Sequence, residues 1–194
     1  MPIEIEAKFP DIDRVALRRL LTQSGYACVH PEYLMRRVVF DLPQGDKHRW
    51  ARVRDEAGVV TISYKRTHDI NRVDGTEEIQ IIADDFDTAC HLLEAFGLIR
   101  KSYQETRREM WTRALVEVTL DEWPAIPPFV EIEAPDEGLV RAAAQELGFV
   151  WENALFGAVA TLYERIGISS HAINAAPMIT FDHVADIHAL AQQG

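Results

Sequence analysis

The residues of this 194-residue chain best suited to chemistry sit on short runs of alternating polarity. IEIEAK, from Ile3 to Lys8, puts Glu4, Glu6 and Lys8 on one face of a strand and Ile3, Ile5 and Ala7 on the other. Carboxylates two residues apart on a strand stand roughly 7 Å from each other on the same side. They repel unless something positive lies between them. VEIEA, from Val130 to Ala134, repeats the pattern with Glu131 and Glu133. Two such strands side by side would set four carboxylates around one point, a crowd that a cation resolves. All-oxygen donors favour Mg2+ or Mn2+ over zinc. A plainer account makes each run a separate solvated edge.

A second group is cationic. RWARVR carries Arg52 and Arg54 opposite Ala51 and Val53, TISYK carries Lys65 opposite Ile62 and Tyr64, and YQETRREMW offers Arg107 and Arg108. Arginine presents a planar fork suited to phosphate oxygens, and lysine a point charge. Cross-strand ion pairs with the carboxylates are the competing account.

These side chains need a scaffold that points them one way. Alternation predicts strands near 2–9, 33–41, 49–55, 58–66, 75–83, 101–113, 115–121 and 128–134, with a hairpin turn at DEAG. Apolar stripes predict helices near 11–24, 85–96, 137–147 and 152–164. The first has Asp11 as its N-cap and Gly25 past its end; the second is read as burying Phe86, Ala89, Leu92, Leu93 and Phe96. The expected class is α+β: an eight-stranded antiparallel barrel with helices packed outside. Ordinary small barrels fill their interior with apolar groups. A charged lumen makes sense when it holds water, metal and a multiply charged anion. Residues 1–166 are expected to form this domain. Residues 167–194 are expected to be a tail, with a loose connection to about Pro177 and a short helix near 182–192.

Composition narrows the classes. Thirty-one acidic against 20 basic residues give a net charge of -11, which disfavours non-specific binding to nucleic acid or anionic membranes. Any polyanion must be held by a local cluster of cations. Cys28 and Cys90 lack metal-ligand spacing and read as reduced core thiols, a disulfide being the alternative. The expected location is cytoplasmic, as a monomer or homodimer, with no leader and no stretch long enough to span a bilayer. The seven histidines show no paired metal spacing, and no glycine-rich phosphate loop is present.

Glu4-Ile5-Glu6-Ala7-Lys8 resembles the ExExK signature of the CYTH family, the triphosphate tunnel metalloenzymes. The likeness continues in family order over residues 1 to about 165. Arg52 and Arg54 match its RxR strand, Lys65 the next, Glu78 its central acidic strand and Arg108 a later basic strand. Asp121, Glu131 and Glu133 match its closing D…ExE. The resemblance implies Mg2+ or Mn2+ held by Glu4, Glu6 and Glu133, with Asp121 and Glu131 as direct or water-mediated partners. It implies substrate contacts from Lys8, Arg52, Arg54, Lys65, Glu78 and Arg108, and catalytic roles for Glu4, Glu6, Lys8 and Lys65. The substrate would be a triphosphate: tripolyphosphate, ATP or thiamine triphosphate. Hydrolysis is the expected reaction. Alternatives are cyclisation of ATP to cyclic AMP and pyrophosphate, as in class IV adenylyl cyclases, and polyphosphate or nucleotide binding without turnover. The chain departs from the family at three points. Thr106 stands where relatives often carry a lysine, Gln80 where a second acid is common, and Arg37 near a position often acidic. Whether Arg36 or Arg37 faces the lumen is open in the sequence.

Overall fold

The computed structural model describes residues 3–43, 45–46, 48–69 and 72–192. Its strands are β1 (Ile3–Glu4), β2 (Glu6–Phe9), β3 (Ala27–Asp41), β4 (Arg49–Glu56), β5 (Val59–Thr67), β6 (Thr76–Ala83), β7 (Ile99–Arg113), β8 (Val116–Glu122), β9 (Phe129–Glu133) and β10 (Met178–Ile179). They hydrogen-bond in the order β1-β6-β5-β4-β3-β7-β8-β9-β2. The two ends of that order are consecutive pieces of one N-terminal segment. β1 pairs antiparallel with β6, and β2 pairs antiparallel with β9. Ile5, between them, accepts a hydrogen bond from the Ala134 backbone. The sheet therefore curls round to meet itself, and with β1–β2 taken as one interrupted strand the antiparallel strands number eight, as expected. β10 is a short addition, parallel to β7 at Tyr103 and Gln104.

The apolar core lies outside the curl. On one side Phe9, Val118, Leu120, Val130 and Ile132 pack beneath helices α1 (Arg14–Gln23) and α3 (Glu137–Glu146). On another, Val38, Phe40 and Val53 pack against α2 (Phe86–Ala95). Strict alternation then turns the intervening positions inward. The DEAG turn is tight because Ala57 and Gly58 both adopt positive φ, at 52° and 86°.

Several expectations need correction. Asp11 is not the cap of α1: it has φ 59°, and Asp13 accepts from the backbone N–H groups of Val15 and Ala16. In α2, Phe86, Ala89, Cys90 and Leu93 face inward, whereas Leu92 and Phe96 are exposed. Cys28 is exposed on β3 rather than buried, and both cysteines are free thiols. The helix expected over 152–164 is broken. A 3-10 turn at Trp151–Asn153 leads to Leu155, which bridges to Lys8 through two 2.9 Å backbone hydrogen bonds, and only α4 (Ala160–Glu164) is helical. The stretch expected as a loose connection contains α5 (Ser170–Ala175). Ile168, Ile173, Ile179 and, from α6 (Val184–Ala189), Ile187 bury with Trp123, Phe129 and Tyr163 in one apolar cluster.

The cap assignment is testable by denaturant unfolding. Asp13→Ala is expected to cost about 1 kcal/mol by orphaning two N–H donors. Asp11→Gly should be neutral or stabilising, since it relieves a left-handed backbone.

Candidate active site

The curl encloses a cavity of about 690 Å3. Its described lining carries eight Lys or Arg and seven Asp or Glu side chains, so the cavity is cation-rich beside a chain of net charge -11. Glu6, Lys8, Arg52, Arg54, Lys65, Glu78, Arg108, Glu131 and Glu133 all line it. Glu4 is described by its backbone, which pairs with Thr76; its side chain lies outside the described residues.

Register sorts the charges. At one level Glu6 lies opposite Glu133, and Glu133 opposite Glu117, across three adjacent strands. Like charges in such a ladder repel. Its confinement, and then Glu6, Glu131 and Glu117, push the Glu133 carboxyl up to about 7. Burial also raises Glu117. One step along, Lys8 lies opposite Glu131. Lys8 pairs with Glu6, and its Nζ is 3.0 Å from Glu131 Oε2. Burial would discharge this lysine, but the Glu131 and Glu6 carboxylates raise its pKa instead. Burial likewise works against the Glu131 carboxylate, and Lys8 with Arg108 more than offsets it, holding Glu131 well below the usual range.

Arg108 forms a two-pronged pair with Asp121, Nε to Oδ1 and Nη2 to Oδ2, each at 2.8 Å. Thr119 Oγ1 donates to Asp121 at 3.0 Å. Asp121 has no exposed surface and does not line the cavity. In this arrangement it fixes Arg108 instead of opening onto the lumen. On the far wall Arg52 Nη2 lies 3.1 Å, and Lys65 Nζ 3.6 Å, from Glu78 Oε1. Arg54 Nη2 lies 2.7 Å from Glu56, which also accepts from the Tyr33 hydroxyl at 2.8 Å.

Between these walls stands Arg37. It faces the lumen, while Arg36 turns outward over the Phe86 ring and pairs with Asp55. Arg37 Nη2 donates to Thr106 Oγ1 at 2.8 Å, so β3 supplies a cation at the spot where β7 carries a hydroxyl. Glu56, Glu117 and the facing of Arg37 escaped the sequence reading. The signal for the two glutamates was parity, since Glu56 alternates in step with Arg52 and Arg54, and Glu117 with Asp121.

The donor chemistry suits a hard divalent cation, because carboxylate oxygens of Glu6, Glu117, Glu131 and Glu133 share one cavity, and burial together with their mutual repulsion lifts Glu133. Among the described residues, however, no three His, Cys, Asp or Glu side chains already converge as a finished metal centre. No helix among them is long and apolar enough to cross a membrane.

Fold and cavity together define an antiparallel β-tunnel with a charged lumen. No family model and no curated protein matches the sequence. Solved structures do share the fold. The PH1012 protein of Pyrococcus horikoshii OT3 is 23% identical with a TM-score of 0.70, over 82% of this chain and 99% of that one. A candidate adenylate cyclase from Vibrio parahaemolyticus is 18% identical with a TM-score of 0.69, over 84% and 98%. HpAC1 from Hippeastrum, a candidate adenylyl cyclase described as having a dominant triphosphatase activity, is 18% identical with a TM-score of 0.55, over 86% and 96%. The fold is the one that the resemblance to triphosphate tunnel proteins implied.

Asp121→Asn should strand Arg108 as a buried, half-answered charge and lower stability by about 3 kcal/mol or more. The double variant Arg108→Met/Asp121→Leu should recover part of that loss in urea unfolding.

Proposed function

We propose that the chain is a divalent-metal-dependent triphosphatase of the CYTH class. The observation that carries this reading is the segregation of charge along one cavity, with a carboxylate ladder of Glu6, Glu133 and Glu117 at one end and arginines and lysines beyond it. Glu4, Glu6, Glu131 and Glu133 would hold Mg2+ or Mn2+. A bound cation of this kind supplies charge neutralisation of phosphate oxygens and an orienting point for water. Lys8, Arg52, Arg54, Lys65 and Arg108 would bind the substrate's phosphate oxygens and fix its chain along the tunnel. Glu78 would hold Arg52 and Lys65 at their present spacing, and Asp121 would do the same for Arg108. Water attacks the terminal phosphorus in line, the bond from that phosphorus to its bridging oxygen breaks, and the arginine forks stabilise the charge gathering on the departing diphosphate. A cavity carboxylate receives the water's proton.

A cyclase reading has one observation in its favour: His48 and Trp50 also line the cavity and could face a nucleoside. Cyclisation demands that a ribose 3'-hydroxyl lie in line with the α-phosphorus, a stricter geometry than water at a terminal phosphoanhydride. HpAC1, which shares the fold, is itself described by its triphosphatase activity.

The test is purified protein with Mg2+ or Mn2+ and either tripolyphosphate, ATP or thiamine triphosphate, with phosphate, pyrophosphate and cyclic AMP quantified. Orthophosphate release that stops in excess chelator is the expected result. Stoichiometric cyclic AMP and pyrophosphate from ATP would replace hydrolysis by cyclisation, and full turnover without metal would remove the metal from the mechanism. Glu6→Gln should cut turnover by orders of magnitude with little change in Tm. Arg52→Ala/Arg54→Ala should raise KM for tripolyphosphate by about tenfold or more, in a salt-dependent way.

A further inference from the structure

We infer that Arg37 is an anion-holding residue of the tunnel, contacting a phosphoryl group of the bound polyphosphate; the inference rests on the triphosphate reading above. Arg37 is 7% exposed, yet among the described residues it has no ion pair. Its Nε is buried and has no hydrogen-bond partner. Its hydrogen-bond partners are neutral: Thr106 Oγ1, and the weakly accepting Met35 Sδ at 3.7 Å. Its charged neighbours have its own sign. Arg54 is its direct cross-strand partner, and burial, then repulsion from Arg52, Arg54 and Arg108, disfavours its charge, with Asp121 a lesser opposing influence. Guanidinium does not escape by losing a proton. A buried cation left in this state costs stability unless an anion joins it.

The surroundings fix the fork rather than neutralise it. The guanidinium lies over the Trp123 ring, 4.6 Å from its centroid, and Thr106 holds one nitrogen. Trp123 is itself buried in the apolar cluster formed with the C-terminal segment. The plane of the fork is thus set before any ligand arrives, with donors left for a planar or tetrahedral oxyanion. Because a polyphosphate spreads several negative charges over its length, it can answer Arg37 and the neighbouring Arg54 together.

A residue kept for binding at a cost in stability gives a signature that a structural residue does not. Thermal unfolding and calorimetric titration with tripolyphosphate would be run on wild type, Arg37→Gln and Arg37→Lys. Without ligand, Arg37→Gln is expected to match or exceed the wild-type Tm. Its Kd for tripolyphosphate should rise by about tenfold or more, with the ligand-induced Tm rise shrinking in step and Arg37→Lys intermediate. Arg37→Met, which keeps the stem packed on Trp123, replaces the glutamine variant if that one does not fold. A lowered Tm with unchanged Kd would make Arg37 structural and overturn the inference. If wild type binds tripolyphosphate and both neutral variants bind it equally well, Arg37 alone is excluded. If wild type neither binds nor hydrolyses any of the triphosphates tested, the reading of the tunnel fails and the role of Arg37 with it.

Discussion

Charge inside a closed sheet must be answered by other charge, and that constraint governs the whole structure. Turning the apolar faces of most strands outward, many of them beneath α1, α2 and α3, leaves their polar faces to the lumen. Water there is confined, so each carboxylate or guanidinium carries a desolvation cost that only a partner offsets. Lys8 is the clearest case. Burial alone would discharge it, and it stays charged because Glu131 and Glu6 flank it. The same two glutamates would repel each other across the strand pair without it. Lys8, Glu6 and Glu131 therefore form one electrostatic unit, the lysine standing between two carboxylates that would otherwise face each other unanswered.

Closure depends on the same few residues. The segment that carries Glu6 and Lys8 also supplies both edges of the sheet, pairing with β6 through β1 and with β9 through β2. Folding the tunnel shut and assembling the acidic ladder are thus one event, since Glu6 reaches Glu133 only when β2 docks on β9. Leu155 then clamps the outer edge of β2 by bonding to Lys8 from the segment before α4. That clamp explains the break in the expected helix. A helical residue 155 would bond within its own helix and leave those backbone groups of Lys8 without the partner they have here.

Much of this was legible as parity. Alternation with period two assigned the lumen face of nearly every strand, because a slip of one residue would expose the entire core face. What the sequence withheld was long-range pairing. Nothing in PDIDR distinguishes Asp13 from Asp11 as a cap until the entry angle of the chain puts Asp11 in the left-handed region. The doublet Arg36-Arg37 has one member on each face, and only the seating of Phe86 under Arg36 and Trp123 under Arg37 decides which. Asp121 shares the parity of a lumen residue, yet Arg108 and Thr119 take up its oxygens and it withdraws from the cavity surface. The C-terminal segment reads as loose because its isoleucines are few and spaced by small residues. They bury only because Trp123, Phe129 and Tyr163 already form a floor for them.

The opposition between the chain's net charge and its lumen follows from the same geometry. Exposed acids on α2, α3 and the loops set the far field, which repels polyanions at a distance and is screened beyond about 8 Å at physiological ionic strength. Inside the tunnel the field is local. There Glu78 is engaged with Arg52 and Lys65, and Asp121, withdrawn from the cavity surface, with Arg108. Arg37 tips that balance furthest, since β3 adds its charge where, among the described residues, it forms no ion pair and Thr106 of β7 offers only a hydroxyl. A polyanion entering such a cavity gains most where Arg37 and Arg54 stand as cross-strand neighbours. The proposed catalytic carboxylates then meet it at one end of its length, the position a terminal phosphoryl group would occupy in hydrolysis.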